Sequence, residues 1–344
     1  MTRTLVYSCG LWLCLIAGPL IAQRSPFNGL VVLPADSTGH YRILIGGHFH
    51  GESTNRSGYP AATLLANIDT INSLGAGLFL STGDLFMDPV KDMPRYQRSL
   101  FHKLKMPLFN APGNHDGAAA DDGVDELVGV GPLRQGRDYL LMVNTESRNG
   151  SIGTDAMNEL TSILSREDLY WPNRLFIISH RPIWSEDDPQ YSSLFKDNTR
   201  STFGTNFQKD VYPLLGKIAE HAHVYWISGS LGGNAPSSIF FQEHAPNITY
   251  IQCAIRNEPR DALLIADVYP DTVKWSALSL TGQQLAAPET YDAAWWHAHA
   301  GKKPGFNWRL VPYLVKTTVL RKEFWWGVLG GIVVLALIRR FLSR

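Results

Sequence analysis

Histidine, aspartate and asparagine side chains recur just after apolar runs in this chain. His48 and His50 follow one such run, and Asp84 follows another through Ser81-Thr82-Gly83. In an extended segment, residues two apart point the same way, so both imidazoles can face one site. Because imidazole and carboxylate groups are ligands for divalent transition metals, these three residues form a candidate metal site.

The tetrad Gly113-Asn114-His115-Asp116 follows a third apolar run, and His180 follows a fourth. Asn114 offers an amide oxygen, and His115 offers an imidazole, the side chain that most often transfers protons near neutral pH. Taken alone, the tetrad is typical of a turn, because Asn, Gly and Asp are ordinary turn residues. Successive apolar runs that each end beside a metal-capable side chain are not expected of random turns, so we expect one shared site.

The apolar pattern alternates between extended and helical periods and then becomes extended throughout. Strands are predicted at 41–45, 77–80, 138–144, 175–179, 224–228, 249–254, 262–268 and 272–280, and just before Gly113. Helices are predicted at 59–74, 95–104, 154–166 and 207–221. Strand–helix alternation followed by a strand-rich end predicts an α/β sandwich with mixed sheets. In α/β folds, ligands bind at the carboxyl ends of the strands, where these polar residues stand.

The series of motifs resembles the calcineurin-like metallophosphoesterase family. The family pattern is Asp-x-His, Gly-Asp, Gly-Asn-His-Asp/Glu, a lone His and Gly-His-x-His, each at a strand end. The match covers most of the body of this chain, from about residue 41 to about residue 280. The resemblance implies two mixed β-sheets in a sandwich flanked by helices. It also implies metal-dependent hydrolysis of a phosphomonoester or phosphodiester by activated water.

The resemblance assigns roles to individual residues. It implies that His50 and Asp84 bind a first metal, and that Asp84, Asn114 and His180 bind a second one. It also implies that His115 is the acid that protonates the leaving oxygen. These assignments carry the family pattern over to matching positions of this sequence.

The chain departs from the family pattern at several positions. His48 replaces the first Asp, and Gly229-Ser230-Leu231-Gly232 stands where Gly-His-x-His is expected. Asp88, the candidate to orient His115, comes one residue late, and a plain loop carboxylate is an equal interpretation. Glu52 and His244 remain open as substitute ligands.

The surviving ligands favour one divalent transition metal over two. His48, His50 and Asp84 form one three-ligand set, and Asp84, Asn114 and His180 form another. Sharing one carboxylate between two cations, with no other anionic ligand, is electrostatically poor. Imidazole and carboxylate ligands suit manganese, iron or zinc, and the sequence leaves the identity open.

The N-terminal segment is predicted to be an export signal at 1–23. Arg3 precedes an apolar stretch at 11–21, and a cleavable end follows. An uncleaved membrane anchor is the competing interpretation. A phosphoesterase domain is predicted at 24–285, on the periplasmic or other extracytoplasmic side.

A second apolar segment at 324–342 is predicted to be a transmembrane helix. Trp325 and Trp326 at its start are typical of a membrane interface, and Arg339-Arg340 of a cytoplasmic end. A buried C-terminal helix is the alternative. A juxtamembrane linker is predicted at 286–323, in which Trp295 and Trp296 contact lipid headgroups.

Composition excludes several partners and cofactors. The formal net charge is zero with no long block of like charge, so a broad nucleic-acid-binding face is not expected. Cys253 is the one cysteine outside the N-terminal segment, which excludes a cysteine-based zinc site in a processed chain. The expected partners are the membrane and a small phosphate ester, a lipid or a nucleotide, with a protein partner left open.

Two functional hypotheses follow. The first is an exported, membrane-tethered, metal-dependent phosphoesterase. The second is a catalytically degenerate protein of the same fold that acts as a binding or assembly module at the membrane. The retained ligand and acid positions favour the enzyme, because the fold itself requires none of them, although fold does not decide function.

Overall fold

The computed structural model describes residues 23–52, 55, 57–117, 132–146, 149–166, 171–196, 204–231, 236–299, 308, 311, 315, 319 and 322–342. The predicted export signal lies outside the described residues except for its last residue. Its cleavage stays a prediction.

Two β-sheets form the centre of the molecule. One has five strands in the order β11-β10-β1-β2-β3, and the other has six in the order β4-β5-β6-β7-β9-β8. The strands are β1 Tyr41–Gly46, β2 Leu78–Ser81, β3 Leu108–Asn110, β4 Leu133–Gln135, β5 Asp138–Val143, β6 Arg174–Ser179, β7 His223–Ser228, β8 Ser238–Ala245, β9 Ile248–Ala254, β10 Ala262–Val268 and β11 Val273–Ser279.

Both sheets are mixed, as the alternating pattern predicts. Strands β1, β2 and β3 are parallel, whereas β10 and β11 add to them in antiparallel pairing. Strands β5, β6, β7 and β9 are parallel, and β4 and β8 close the two edges of that sheet in antiparallel pairing. The carboxyl ends of the parallel strands therefore meet at one edge of each sheet.

The two sheets pack face to face, with helices on their outer faces. Buried Ile43 and Leu80 of the first sheet share a core with Ile178 and Ile227 of the second. The predicted sandwich flanked by helices is therefore confirmed.

Seven short helices surround the sheets within the described residues. They are α1 Ala62–Leu65, α2 Ile68–Ser73, α3 Pro89–Ser99, α4 Thr154–Leu164, α5 Ser192–Phe195, α6 Tyr212–Ala219 and α7 Ala293–His299. A π-helical turn at Phe207–Val211 precedes α6, and 3-10 turns lie at Phe101–Lys103, Ile183–Ser185 and Pro288–Thr290. Helices α1 to α3 cover the first sheet, and α4 and α6 cover the second.

Some predicted boundaries are wrong. The single helix expected at 59–74 is two short helices, because Asn67 turns the chain and donates its amide to Thr63 O and Leu280 O, both at 2.7 Å. The helix expected at 95–104 begins at Pro89, where Asp88 caps it. Strands β4 and β8 are not predicted from the sequence.

The packed body continues past residue 285 to α7. Trp296 is buried, and its indole N–H donates to Ile239 O at 3.1 Å. The Arg260 guanidinium lies 4.9 Å from the Trp295 ring and 4.7 Å from the Trp296 ring. The interpretation of Trp296 as a headgroup contact is therefore wrong, because this side chain packs inside the domain.

The C-terminal helix spans Lys322–Leu342. This helix is long and apolar enough to cross a membrane, and it is the one such helix among the described residues. Its mean hydropathy is 1.6, and none of it is buried against the body. The exposure of this helix does not support the alternative of a buried C-terminal helix.

Candidate metal centre

The candidate ligands follow the carboxyl ends of neighbouring strands. His48 and His50 follow β1, Asp84 follows β2, and His180 follows β6. Asn114 lies in the turn after β3. Because β1, β2 and β3 are parallel, the loops after them leave the same edge of the sheet.

Three imidazoles converge on one carboxylate oxygen. The Nε2 atoms of His48, His50 and His180 lie 3.4, 3.6 and 3.4 Å from Asp84 Oδ2. The ligand atoms of His48, His50 and Asp84 all lie within 4.8 Å of one another, and His180 approaches the same oxygen from outside that group. All four side chains are buried. Sequence reasoning therefore names four residues that the fold brings together.

Backbone carbonyls determine which ring nitrogen carries the proton. His48 Nδ1 donates to Gly51 O at 2.8 Å, and His180 Nδ1 donates to Thr82 O at 2.9 Å. Since a carbonyl oxygen can only accept, Nδ1 carries hydrogen in both rings. In the neutral form of each ring, the lone pair of Nε2 then faces the Asp84 side, which is the arrangement of metal-binding imidazoles.

Buried ring nitrogens at this point have no hydrogen-bond partner among the described residues. They are both nitrogens of His50 and Nε2 of His180. Buried polar atoms are nearly always paired in folded proteins, so each such atom needs an explanation. A divalent metal would satisfy the Nε2 atoms, and a nitrogen-rich set with one carboxylate suits manganese, iron or zinc. The residues therefore fit a metal.

Two of the ligands have strained backbones. His48 has a φ of 60° and Asp84 a φ of 55°, in the left-handed region that non-glycine residues rarely adopt. The His48 N–H donates to Gly83 O at 2.7 Å, which ties the two turns together. Strain of this kind clusters at functional sites, where the surrounding structure over-determines the conformation.

Asp116 organises the loop that carries Asp84. Its carboxylate accepts hydrogen bonds from the backbone N–H groups of Asp84, Leu85, Phe86 and Gly113 and from the side-chain amide of Asn110, at 2.8–3.2 Å. Sequence reasoning included Asp116 in the tetrad but gave it no role. Three of these donors, the N–H groups of Asp84, Leu85 and Phe86, lie 30 to 32 residues earlier in the chain, and spacing alone does not reveal that contact.

His115 and Asn114 stand in the turn after Gly113. The His115 N–H donates to Asp84 Oδ1 at 2.9 Å, and its half-buried ring lies 5.2 Å from the His50 ring. Asn114 is half-buried in the same turn. The structure thus places His115 beside the converging ligands with part of its surface open to solvent.

The weaker candidates do not join this group. Asp88 accepts from Lys91 N at 3.3 Å and pairs with the Lys91 ammonium, so it caps α3 and the loop-carboxylate interpretation holds. His244 lies near the end of β8 and contacts Tyr191 and Tyr212. Because β8 is antiparallel to β9, this places His244 at the end of the sheet opposite to the candidate ligands. Glu52 is exposed.

The segment in place of the final histidine motif supports His180 through its backbone. The N–H groups of Gly229 and Ser230 donate to His180 O at 2.9 and 2.7 Å. A Cβ on Gly229 would lie 1.9 Å from Thr82 Oγ1, so glycine permits this close approach. Gly232 lies outside the described residues.

A buried ion pair stands behind His180. Arg181 Nε and Nη2 donate to the two carboxylate oxygens of Glu146 at 2.9 and 2.8 Å. The Arg181 N–H donates to Thr145 Oγ1 at 2.9 Å. Sequence reasoning did not single out Glu146, because nothing in its local pattern indicates a partner in a distant loop.

The charges of the cluster favour a cation. Burial lowers the pKa of His48 well below its usual range, and neighbouring His50 adds to this effect. Burial acts against ionised Asp84, but His180 outweighs it and holds the pKa of that carboxyl well below its usual range. Burial also acts against charged His180, yet Asp84 raises its pKa to about 9. Asp84 is therefore anionic, and a bound metal would replace the proton on His180.

Comparison with known proteins identifies the fold but no family by sequence. No family model and no curated protein matches this chain. A purple acid phosphatase from yellow lupin (Lupinus luteus) seeds aligns with a TM-score of 0.51 at 11% identity, over 76% of this chain and 57% of its own. A dimetal phosphatase from Danio rerio aligns with a TM-score of 0.47 at 12% identity, over 70% of this chain and 96% of its own.

These alignments concern the fold. The chain spans just over half the length of the lupin protein. Together with the two mixed sheets, the likeness to the lupin protein confirms that the chain has the metallophosphoesterase fold.

Proposed function

We propose that this chain is a metal-dependent phosphoric ester hydrolase. The observation that carries the proposal is the convergence of three imidazole Nε2 atoms on Asp84 Oδ2, with two of those atoms buried and without a hydrogen-bond partner. A protein that used this fold only as a scaffold would gain nothing from the costly burial of ring nitrogens that lack a hydrogen bond. The phosphatase activity named for the lupin neighbour supports the same reaction class.

We infer that one metal is bound rather than two. His48, His50, Asp84 and His180 surround a single oxygen, and Asp84 is the one carboxylate among them. A second cation would share that charge while lacking the histidines of the final family motif. Manganese, iron or zinc held there supplies Lewis acidity to a phosphate ester and a water molecule.

His115 is the proposed general acid. Its ring stands next to His50 and is half-buried, so it can contact both the site and a bound ester. Its backbone N–H holds Asp84, which couples the position of the acid to that of the ligand. Asn114, in the same turn, is proposed as a further oxygen ligand to the metal or the substrate.

The proposed substrate is a phosphomonoester or a phosphodiester, either a small molecule, a nucleotide or a lipid. The domain is proposed to work on the extracytoplasmic side, tethered by the helix Lys322–Leu342. The domain is proposed to begin at residue 24 and, since α7 packs on the body, to extend beyond the expected limit of 285, so that the proposed linker to residue 323 begins after α7.

A second candidate function is a binding or assembly module. The observation that favours it is the loss of the final motif, since Gly229 and Ser230 contribute backbone contacts instead of imidazoles. Hydrolysis separates the two candidates.

The test is hydrolysis of p-nitrophenyl phosphate and bis(p-nitrophenyl) phosphate by the full-length protein in a neutral detergent, supplied in turn with Mn, Fe and Zn. We expect turnover that Asp84→Asn abolishes, since asparagine tolerates the left-handed backbone but supplies no charge. Asp267→Asn is the matched control, because Asp267 pairs with Arg42 at the far end of β1. If the wild type hydrolyses these esters no faster than Asp84→Asn does, whichever metal is supplied, the binding module is favoured.

A further inference from the structure

A small cavity lies at the opposite edge of the six-stranded sheet from the metal centre. Its volume is about 190 Å³, and its walls include Arg134, Arg137, Arg166, Tyr139 and Trp171. These walls surround the start of β5, whereas His180 follows the end of β6, which runs parallel to it. The cavity is therefore separate from the candidate metal centre.

Three arginine residues line this space. Asp138 is the one carboxylate among the described residues of the wall, and it is already engaged, since Arg174 Nη1 lies 3.3 and 3.2 Å from its oxygens and Tyr41 donates to it at 2.7 Å. Like charges held together repel each other, and an anion between them removes that cost. The cavity is therefore positively charged among the described residues.

The chain holds these guanidinium groups in place. Arg134 and Arg166 lie 5.1 and 5.0 Å from the centre of the Tyr139 ring, which is the geometry of cation–π contacts. Arg137 donates from Nη2 to Trp171 O at 3.0 Å. A guanidinium carries five N–H donors, so this bond leaves Arg137 with capacity for a ligand.

The tyrosine adds no negative charge to the cavity. Its hydroxyl donates to Glu159 Oε2 at 2.5 Å. Burial raises the pKa of Tyr139 to about 12, so the ring stays neutral between the two arginines.

We propose that this cavity binds a phosphate group, either free phosphate, a small phosphomonoester or the headgroup of an anionic lipid. Guanidinium groups match the geometry of phosphate oxygens and bind them with paired charge-assisted hydrogen bonds. The volume equals roughly six water molecules, and it lies below the roughly 300 Å³ of a drug-sized pocket. A phosphate group with a few further atoms fits this volume. This inference does not depend on the proposed hydrolysis.

The test is isothermal titration of inorganic phosphate into the full-length protein in neutral detergent. It is carried out in the Asp84→Asn background, which removes metal-dependent phosphate binding from the signal. We expect one bound phosphate, and we expect Arg134→Ala and Arg166→Ala each to weaken it roughly tenfold. Arg95→Ala is the matched control, because Arg95 also stacks on a tyrosine, Tyr59 at 5.3 Å, outside the cavity.

A second measurement distinguishes the two sources of phosphate. The same titration is made in nanodiscs of phosphatidylcholine, with and without phosphatidic acid. Phosphate binding that phosphatidic acid suppresses supports a lipid headgroup, and binding that it leaves unchanged supports a soluble ligand. Either result requires the same arginines.

Two results would overturn the proposal. One is an affinity for phosphate that Arg134→Ala and Arg166→Ala change no more than Arg95→Ala does. The other is binding that appears only after Glu167→Gln with Asp168→Asn, which follow Arg166 in the sequence. That result would mean that the arginines are neutralised by the chain's own carboxylates.

Discussion

The carboxylate of Asp116 shows how a single side chain can hold a candidate metal ligand in place without itself belonging to the ligand group. It gathers three successive backbone N–H groups from Asp84 to Phe86, and Gly113 on the other side. These bonds keep Asp84 in its left-handed conformation, which aims the carboxylate at the imidazoles. The position of the ligand thus depends on a neighbouring loop.

Replacement of Asp116 by asparagine should therefore damage both stability and metal binding. The amide NH₂ group cannot accept the bonds that one carboxylate oxygen accepts, so buried N–H groups lose their partner. We expect a loss of about 2–4 kcal/mol in the free energy of unfolding. Urea denaturation measures it, with Asp36→Asn, an exposed turn residue, as the control. Equal stability of the two variants would contradict this role for Asp116.

Asp261 gives a pH dependence whose sign follows from its burial. Burial raises the pKa of Asp261 to about 7, although the Arg256 N–H and Thr63 Oγ1 donate to its carboxylate, both at 2.9 Å. Between about pH 4 and pH 7 the folded state then binds more protons than the unfolded state, so stability falls as pH rises. The total change from this group is at most about 4 kcal/mol.

The replacement Asp261→Asn should remove that part of the pH dependence. The new amide can still accept from the Arg256 N–H, so stability near pH 8 should match or exceed that of the wild type. Urea denaturation at pH 5 and pH 8 checks this. Asp267→Asn is the control, and its effect on the pH dependence of stability should have the opposite sign. Burial acts to raise the pKa of Asp267, but Arg42 and His40 outweigh burial and lower it. A wild-type slope that persists in Asp261→Asn would refute the assignment.

The sequence predicts the ligands better than their supports. His48, His50, Asp84 and His180 are predicted because each follows an apolar strand, a pattern visible in a few residues. The residues that hold these side chains in place do so through contacts between loops that are distant in the sequence. Arg181 and Glu146, for example, are 35 positions apart, so local spacing does not predict their contact.

At the scale of elements, close packing of loops determines the site. The segment after β7 lies against Thr82, whose carbonyl accepts from His180 Nδ1. Only a residue without a side chain fits at Gly229. This segment therefore serves the site as a spacer, although it lacks the family's histidines.

The exchange Gly229→Ala should displace Thr82 and with it His180. The added methyl would meet Thr82 Oγ1 at 1.9 Å and Thr82 O at 2.6 Å, distances that require backbone movement. We expect a loss of metal affinity of roughly tenfold or more, as for other partners of ligating histidines. Gly216→Ala is the control, because nothing lies within 4 Å of its added methyl in α6, and helix propensity predicts a gain of up to about 1 kcal/mol. Metal titration with an indicator dye and urea denaturation measure both, and unchanged affinity in Gly229→Ala would refute the spacer role.

Most strands could be predicted from the sequence, but two could not. Strand β4 includes Arg134 and Gln135 among its three residues, so no apolar run marks it as one marks the equally short β3. Strand β8 is buried over its first four residues and mostly half-buried after them, so it shows no single period. The helix at 59–74 is interrupted by Asn67, whose partner Leu280 belongs to the far end of the chain. Elements with a long regular pattern are therefore predictable, whereas those shaped by distant contacts are not.

At the scale of the whole molecule, α7 closes the body before the chain continues toward the C-terminal helix. Arg260 packs over both tryptophans of α7 and donates to Ser237 O at 2.9 Å, so the helix is attached to the start of β8. Tryptophan occurs both in cores and at membrane interfaces, so composition could not decide between them here. The apolar segment at 324–342 was predictable because its length and composition suffice.

Truncation of Trp296 should therefore destabilise the body itself. Trp296→Ala leaves a cavity beside β8, and we expect a loss of about 3 kcal/mol or more in the free energy of unfolding. Trp326→Ala, at an exposed position of the C-terminal helix, is the control and should change it by less than about 0.5 kcal/mol. Thermal and urea denaturation of the full-length protein measure the difference. Equal losses in the free energy of unfolding for the two variants would contradict the burial of Trp296 and favour its contact with the membrane interface.

His48, His50, Asp84 and His180 are proposed to hold one divalent metal. The most direct test is elemental analysis of the purified full-length protein by inductively coupled plasma mass spectrometry, after supply of Mn, Fe or Zn and removal of free metal. We expect about one equivalent of metal per chain in the wild type and in His223→Ala, and loss of that metal in both Asp84→Asn and His180→Ala. Wild-type protein that holds no more metal than Asp84→Asn would contradict the claim.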